Sequence, residues 1–120
     1  MKKNTINSDT LLNLITKHSP DMLWIKDLNG RYLYANNAIC NGLLIATPNE
    51  VIGKTDIFFA LREREKYKDN KNWHTFGELC TNTDLETIKY MRPLRFLENG
   101  NIKGKMTYLE VDKAPFFDEN

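Results

Sequence analysis

The stretch KDLNGRYLYANNA, Lys26 to Ala38, decides the fold. Asn29-Gly30 stands between two apolar runs, Leu23 to Lys26 and Arg31 to Ala35. Asn-Gly adopts the positive backbone dihedrals of a two-residue hairpin turn, so the flanking runs are expected to be paired strands. The second run stops on Asn36-Asn37. Short amides accept hydrogen bonds from the exposed N–H groups of a first helical turn, which places a helix start there and a helix over Ala38 to Leu44.

Working outward, Ser8 or Asp9 is expected to cap a short amphipathic helix with Leu11, Leu12, Leu14 and Ile15 on one face, ended by Pro20. Downstream, Thr47-Pro48-Asn49-Glu50 has the capping threonine, the proline and the glutamate of a capping box, with Gly53 closing that helix. Thr55-Asp56 starts a further turn through Phe59, and the charged run Leu61 to Lys68 has the composition of a solvated helix. After the less regular DNKNWHTFGELCTNTD, Leu85 to Leu97 alternates as a strand, Asn99-Gly100 reads as a second hairpin turn, and Ile102 to Phe117 as the return strand. Strands at both ends with short helices between them imply an α+β fold, an antiparallel sheet with helices on one face.

The chain's 120 residues suit one domain with one core. Its 17 Lys+Arg balance 16 Asp+Glu, which leaves a formal charge of +1 and advertises neither a polyanion binder nor a membrane-surface helix. The longest apolar run, Leu43 to Ala46, is far below the roughly 20 residues of a membrane span, and Met1 to Asn4 lacks a signal-peptide core. Cys40 and Cys80 have no partner motif and suit a reducing compartment, so a cytoplasmic location is expected.

Several enzyme signals fail. GNIKGKM places Gly100 and Gly104 one residue too close for a phosphate loop and has Met106 where Ser or Thr is needed. His18 and His74 lack zinc-site spacing, no base faces Cys80, and no aromatic-and-basic pattern marks a nucleic-acid surface. A catalytic role is not expected.

SPDMLWIKDLNGRYLYANNAICNGLLIATPNEVIGKTD resembles the first half of a PAS domain, the small sensory module of bacterial signalling proteins. Asp27, Gly30, Tyr34, Asn36 and Gly53 fall where that family has its D-x-x-G turn, the strand ending in asparagine and a helix-ending glycine. YLEVDKAPFFDEN is similar to its penultimate strand, with Pro115 and Asp118 before a turn into the last one. The resemblance implies a flanking helix over residues 1–17, a sensory domain over 18–120 that stops before its final strand, and a fragment of a longer protein. It further implies a small-molecule ligand between sheet and helices, and a covalently linked output domain such as a histidine kinase or diguanylate cyclase. The alternative is a ligand-free module that forms a homodimer through Leu11 to Ile15; neither reading involves nucleic acid or membrane insertion.

Candidate ligand contacts are Trp24, Tyr34, Trp73, His74, Tyr90, Arg92 and Tyr108. Arg92 shares strand parity with Ile88, Tyr90, Leu94 and Phe96, and a guanidinium in an apolar row needs Glu86, Glu110 or an acidic ligand as partner. The aromatic residues suit a cavity wall, although aromatic residues at alternating strand positions are more often core or sheet-face packing than ligand contacts. His74 lies where some heme-binding relatives supply an axial imidazole, but a lone histidine beside Trp73 is more often a polar surface or cap residue. Neither Cys40-Asn41 nor Cys80-Thr81 reproduces the Asn-Cys-Arg-Phe-Leu core of flavin photosensors, so heme and flavin are both disfavoured, no covalent cofactor or metal is expected, and the cofactor is left open.

Overall fold

The computed structural model describes residues 7–117, so the turn expected at Asp118 lies outside the described residues. Helix α1, Ser8–Lys17, begins one residue before the expected caps: Asn7 accepts the Thr10 N–H at 2.8 Å. Asp9 is thereby left in the first turn, where its charge suits the helix dipole.

Strands β1, Trp24–Lys26, and β2, Tyr32–Ala35, pair antiparallel as the opening stretch implies. The loop is longer than two residues, because the Asp27 N–H donates to the Arg31 carbonyl at 2.9 Å. The Asp27 carboxylate accepts from the N–H groups of Asn29 and Arg31 at 2.9 and 3.0 Å, so only Gly30 needs positive φ, at 77°. The outer edge of β2 is covered by the linker after α3, with the Tyr32 N–H donating to Lys54 and the Gly53 N–H to Tyr32.

Asn36 explains why the strand stops. It starts α2, Asn37–Ile39, which runs on as a π-helical turn over Cys40–Leu44. Its buried side-chain oxygen accepts from Leu23 and Ile39 at 3.0 and 3.3 Å, while its NH2 donates to the carbonyls of Thr16 and Asp21 at 2.8 Å each. One amide thus satisfies its full hydrogen-bonding capacity and ties the end of α1, the approach to β1 and the start of α2 together.

Helix α3, Pro48–Val51, carries the expected capping box. Thr55 and the charged run belong to one helix, α4, Asp56–Lys66. The largest correction follows. Leu85 to Tyr90 is not strand but the end of helix α5, Glu78–Tyr90, and β3 starts only at Leu94, running to Ile102. The one threonine in this stretch, Thr87, is satisfied inside the helix: its hydroxyl donates to the Thr83 carbonyl.

β3 pairs with β4, Lys105–Lys113, through a turn at Lys103-Gly104, both at positive φ. Asn99-Gly100 lies inside β3 instead, opposite Tyr108 and Thr107. Gly100 serves a close approach: a Cβ there would sit 2.8 Å from Thr75 Oγ1 and 3.1 Å from the Phe76 ring.

The fold is α+β as expected, but the expected single sheet is two two-stranded sheets, β1–β2 and β3–β4. Among the described residues no backbone hydrogen bond joins the two hairpins. Both pack on a core of Tyr32, Ile39, Leu43, Val51, Phe59 and Phe76, where each large apolar side chain contributes about 1.5–3 kcal/mol through burial. α4 meets the start of α5 at Gly77.

Candidate functional site

β3 turns residues 94, 96, 98 and 100 inward, and β4 turns 107, 109, 111 and 113. The inward rows therefore carry two charges, Glu98 and Lys113, with 3% and 8% of their surface exposed. A charge on the inner face was expected, but as Arg92; the end of α5 removes Arg92 from the strand and leaves it exposed beside Tyr90, 5.8 Å from that ring.

Glu98 and Lys113 belong to a buried network drawn from six elements. Lys113 Nζ donates to Asp84 at 2.7 Å and to Thr83 Oγ1 at 2.5 Å, and lies 3.2 Å from Glu98. Thr83 Oγ1 donates to Glu98 Oε2 at 2.8 Å, and the Cys80 thiol lies 3.6 Å from the other oxygen. From β1, Lys26 Nζ pairs with Asp56 and with Asp84, the latter at 2.7 Å. From β2, the Tyr32 hydroxyl donates to Asp56 Oδ1 at 2.5 Å. Three carboxylates thus share two ammonium groups inside the protein.

The electrostatics follow from that arrangement. Burial alone would lower the Lys26 pKa, but Asp56 and Asp84 outweigh it and raise the value, so this ammonium stays charged. Burial, reinforced by Asp56, pushes the Tyr32 phenol well above its ordinary value. Burial, with Asp56 and Glu98, likewise pushes the Cys80 thiol far up, which keeps it protonated and unsuited to nucleophilic attack.

Above this network lies a cavity of about 550 Å³. Its floor holds Lys26, Tyr32, Asp56, Cys80, Glu98 and Lys113, and its apolar lining includes Met22, Trp24, Ile39 and Leu43. Residues 109–113 of β4 line it consecutively, as do residues 20–24 around β1, which is how strand edges, not strand faces, border a space. The space is partly open, with hydrogen-bonding side chains among its lining beside the apolar ones.

Of the candidate contacts, Trp24 lines this cavity. The other six lie elsewhere. Tyr34 hydrogen bonds to Thr16 Oγ1. Trp73 stacks on Tyr67 at 4.0 Å and donates to Glu63 at 3.3 Å. Tyr90 and Arg92 are exposed at the end of α5, and Tyr108 is exposed on the outer face of β4. The residues missed are the charged ones. Two same-parity rows, Phe96 with Glu98 and Leu109 with Val111 and Lys113, were the available signal.

His74 is buried between α4 and α5, with Nδ1 unpartnered. Burial lowers its pKa from 6.5; Arg64 acts in the same direction, while Glu63 and Glu78 oppose. The unfolded chain therefore binds this proton more readily than the folded one. The His74 contribution to stability is complete above pH 6.5 and shrinks as pH falls below that value. A series of melting temperatures between pH 5 and 7 checks this: the wild type declines toward pH 5, and His74→Gln removes that part of the decline. Equal slopes for the two proteins exclude it.

Among the described residues no helix is long and apolar enough to cross a membrane, and no group of three or more His, Cys, Asp or Glu side chains could hold a metal. A sequence model of the family described as PAS fold matches residues 16–120. No curated protein matches the chain.

Proposed function

Since the chain belongs to the PAS-fold family, a group of sensory and interaction modules, we propose that it is a ligand-sensing relay domain of a bacterial signalling protein. A small molecule enters the cavity between the hairpins, and the change is passed to a linked output domain of kinase or cyclase type in the cytoplasm. The domain proper is residues 18–120, and residues 1–17 flank it. One observation carries the reading: the cavity of about 550 Å³ has a charged floor whose members are fixed to β1, β2, α4, α5, β3 and β4 at once. That volume suits a small ligand, and an occupant that touches the floor acts on both hairpins and both long helices. The cavity is tested by following the Trp24 indole N–H and the Met22 methyl in NMR spectra during a small-molecule screen. Hits that move both signals support the reading; hits confined to the outer sheet face around Tyr108 would oppose it.

A second reading, a dimerisation module, is favoured by α1. The helix buries none of its own residues, and Leu11, Leu12, Leu14 and Ile15 are between 45% and 72% exposed along it. An apolar helix face of this kind suits the same face of a second copy. Sedimentation of Ile15→Asp checks it: the wild type is dimeric and the variant shifts at least tenfold toward monomer. An unchanged equilibrium excludes α1 as the contact.

A further inference from the structure

Residues 73–75, just before α5, form a strap along β3. The Thr75 N–H donates to the Asn101 carbonyl at 3.0 Å, the Asn101 N–H returns to Thr75 Oγ1 at 2.7 Å, and the Gly104 N–H donates to the Trp73 carbonyl at 2.7 Å. Both backbone groups of Asn101 thus point to Thr75, so the strap covers the edge of β3 that faces away from β4. From the other side, the Arg64 guanidinium of α4 donates to the carbonyls of His74 and Phe76 at 2.8 and 3.0 Å. Phe76 is a core residue with 1% of its surface exposed, which anchors the end of the strap nearest α5.

His74 is the exception in this well-bonded segment. Its side chain is 3% exposed, and Nδ1 has no hydrogen-bond partner among the described residues. An apolar side chain would fill the same place without leaving a buried nitrogen unbonded. We propose that His74 makes the strap a proton-controlled latch, seated on β3 while the imidazole is neutral and released from it when the imidazole is protonated. The device goes beyond ligand sensing and does not depend on what occupies the cavity.

The charges around the ring fix the direction. Glu63 and Arg64 face it from α4 and Glu78 from α5, while Lys103 and Lys105 at the β3–β4 turn are exposed. Both carboxylates are already engaged, Glu63 by the Trp73 indole and Lys66, and Glu78 by two nitrogens of Arg64. An imidazolium in the closed strap therefore pays for burial with little compensation, and burial is the largest influence on this ring. Release gives it water. The strap is the part free to move, because Trp73, His74 and Thr75 can leave β3 while Phe76 stays in the core. Release also frees the N–H groups of Asn101 and Gly104 and uncovers that edge of β3.

The test is native-state hydrogen exchange of the whole chain at pH 7.5 and 5.5, with protection factors read in low, non-denaturing urea. An open strap whose imidazole titrates at the ordinary 6.5 forms up to about elevenfold more often at pH 5.5 than one with a neutral ring. The Thr75, Asn101 and Gly104 amides are expected to lose about three- to tenfold in protection at pH 5.5. Urea should scarcely affect them, since a local opening exposes little surface. The Tyr32 and Asn36 amides, bonded to Lys54 and Leu23, report global unfolding and follow urea instead. His74→Gln should hold the strap amides within about twofold across the two pH values. Strap amides that follow urea together with Tyr32 and Asn36, that ignore pH, or that keep their pH response in His74→Gln would overturn the latch. If His74→Gln fails to fold, the wild-type ring decides: an NMR titration of His74 at or above 6.5 overturns the proposal, and one below it, with the urea-independent loss at the strap, sustains it.

Discussion

Lys113→Met is expected to lower the free energy of unfolding by about 3–5 kcal/mol, the usual cost of removing one partner from a buried charge cluster. Lys113 is 8% exposed, and its ammonium serves Asp84, Glu98, Thr83 and the Cys80 carbonyl. Methionine matches much of the volume but supplies no donor. Glu98 is left buried with the Thr83 hydroxyl and the Cys80 thiol as neutral donors, and Asp84 keeps only Lys26. The buried Asp56 and Glu98 and the partly buried Asp84 are then left with one ammonium. Chemical denaturation checks this, with the midpoint read at constant slope. A loss below about 1 kcal/mol, the range of exposed pairs, would show the cluster to be hydrated and weakly coupled. Arg95 with Glu110 and Asp112 is the internal comparison: these three residues lie on the exposed face, and Arg95→Met should change stability by under about 1 kcal/mol.

Gly77→Ala carries the second large effect, about 2–4 kcal/mol, from two causes that add at one atom. Gly77 sits at φ 132°, a conformation that residues with a Cβ rarely adopt. A Cβ there would also lie 2.8 Å from the Ala60 Cβ, too close for either to remain in place. Ala60 is part of α4 and cannot rotate away, so α4 and the start of α5 must separate. The separation loosens Arg64, whose guanidinium donates to the carbonyls of His74 and Phe76 and to Glu78. Thermal unfolding of Gly77→Ala beside Gly30→Ala separates the causes, because a Cβ at Gly30 meets nothing within 4 Å and only its φ of 77° opposes substitution. Equal losses in the two variants would exclude the contact with Ala60.

The first half of the chain was legible because its signals are local. Asp27, Gly30, the Thr47–Glu50 box and the Asn36 cap on Ile39 act on backbone groups within a few residues, so their identity states their geometry, whereas the Asn36 bonds to Leu23, Asp21 and Thr16 are long-range. The second half misled for physical reasons. Leu85 to Leu97 alternates polar and apolar residues, yet its first part completes α5, with the Thr87 hydroxyl satisfied by the carbonyl one turn back. Asn99-Gly100 has the sequence of a turn, but its glycine is there to admit Thr75 and Phe76, while the less expected Lys103-Gly104 turns the chain. Because β3 starts at Leu94, its inward row carries Glu98 and leaves Arg92 outside the strand. Partners in the buried network stand up to 58 residues apart, as Lys26 and Asp84 do, and no local pattern announces such pairings.

Native mass spectrometry of freshly purified protein, beside its denatured mass and an absorption spectrum of the same sample, tests the central claim most directly. The account predicts a reproducible non-covalent adduct that disappears on denaturation, with a mass small enough for a cavity of about 550 Å³. The released molecule, added back, should move the Trp24 indole signal. A bare mass in every preparation, with no small molecule restoring that shift at millimolar concentration, would contradict ligand sensing and leave the domain as an interaction module.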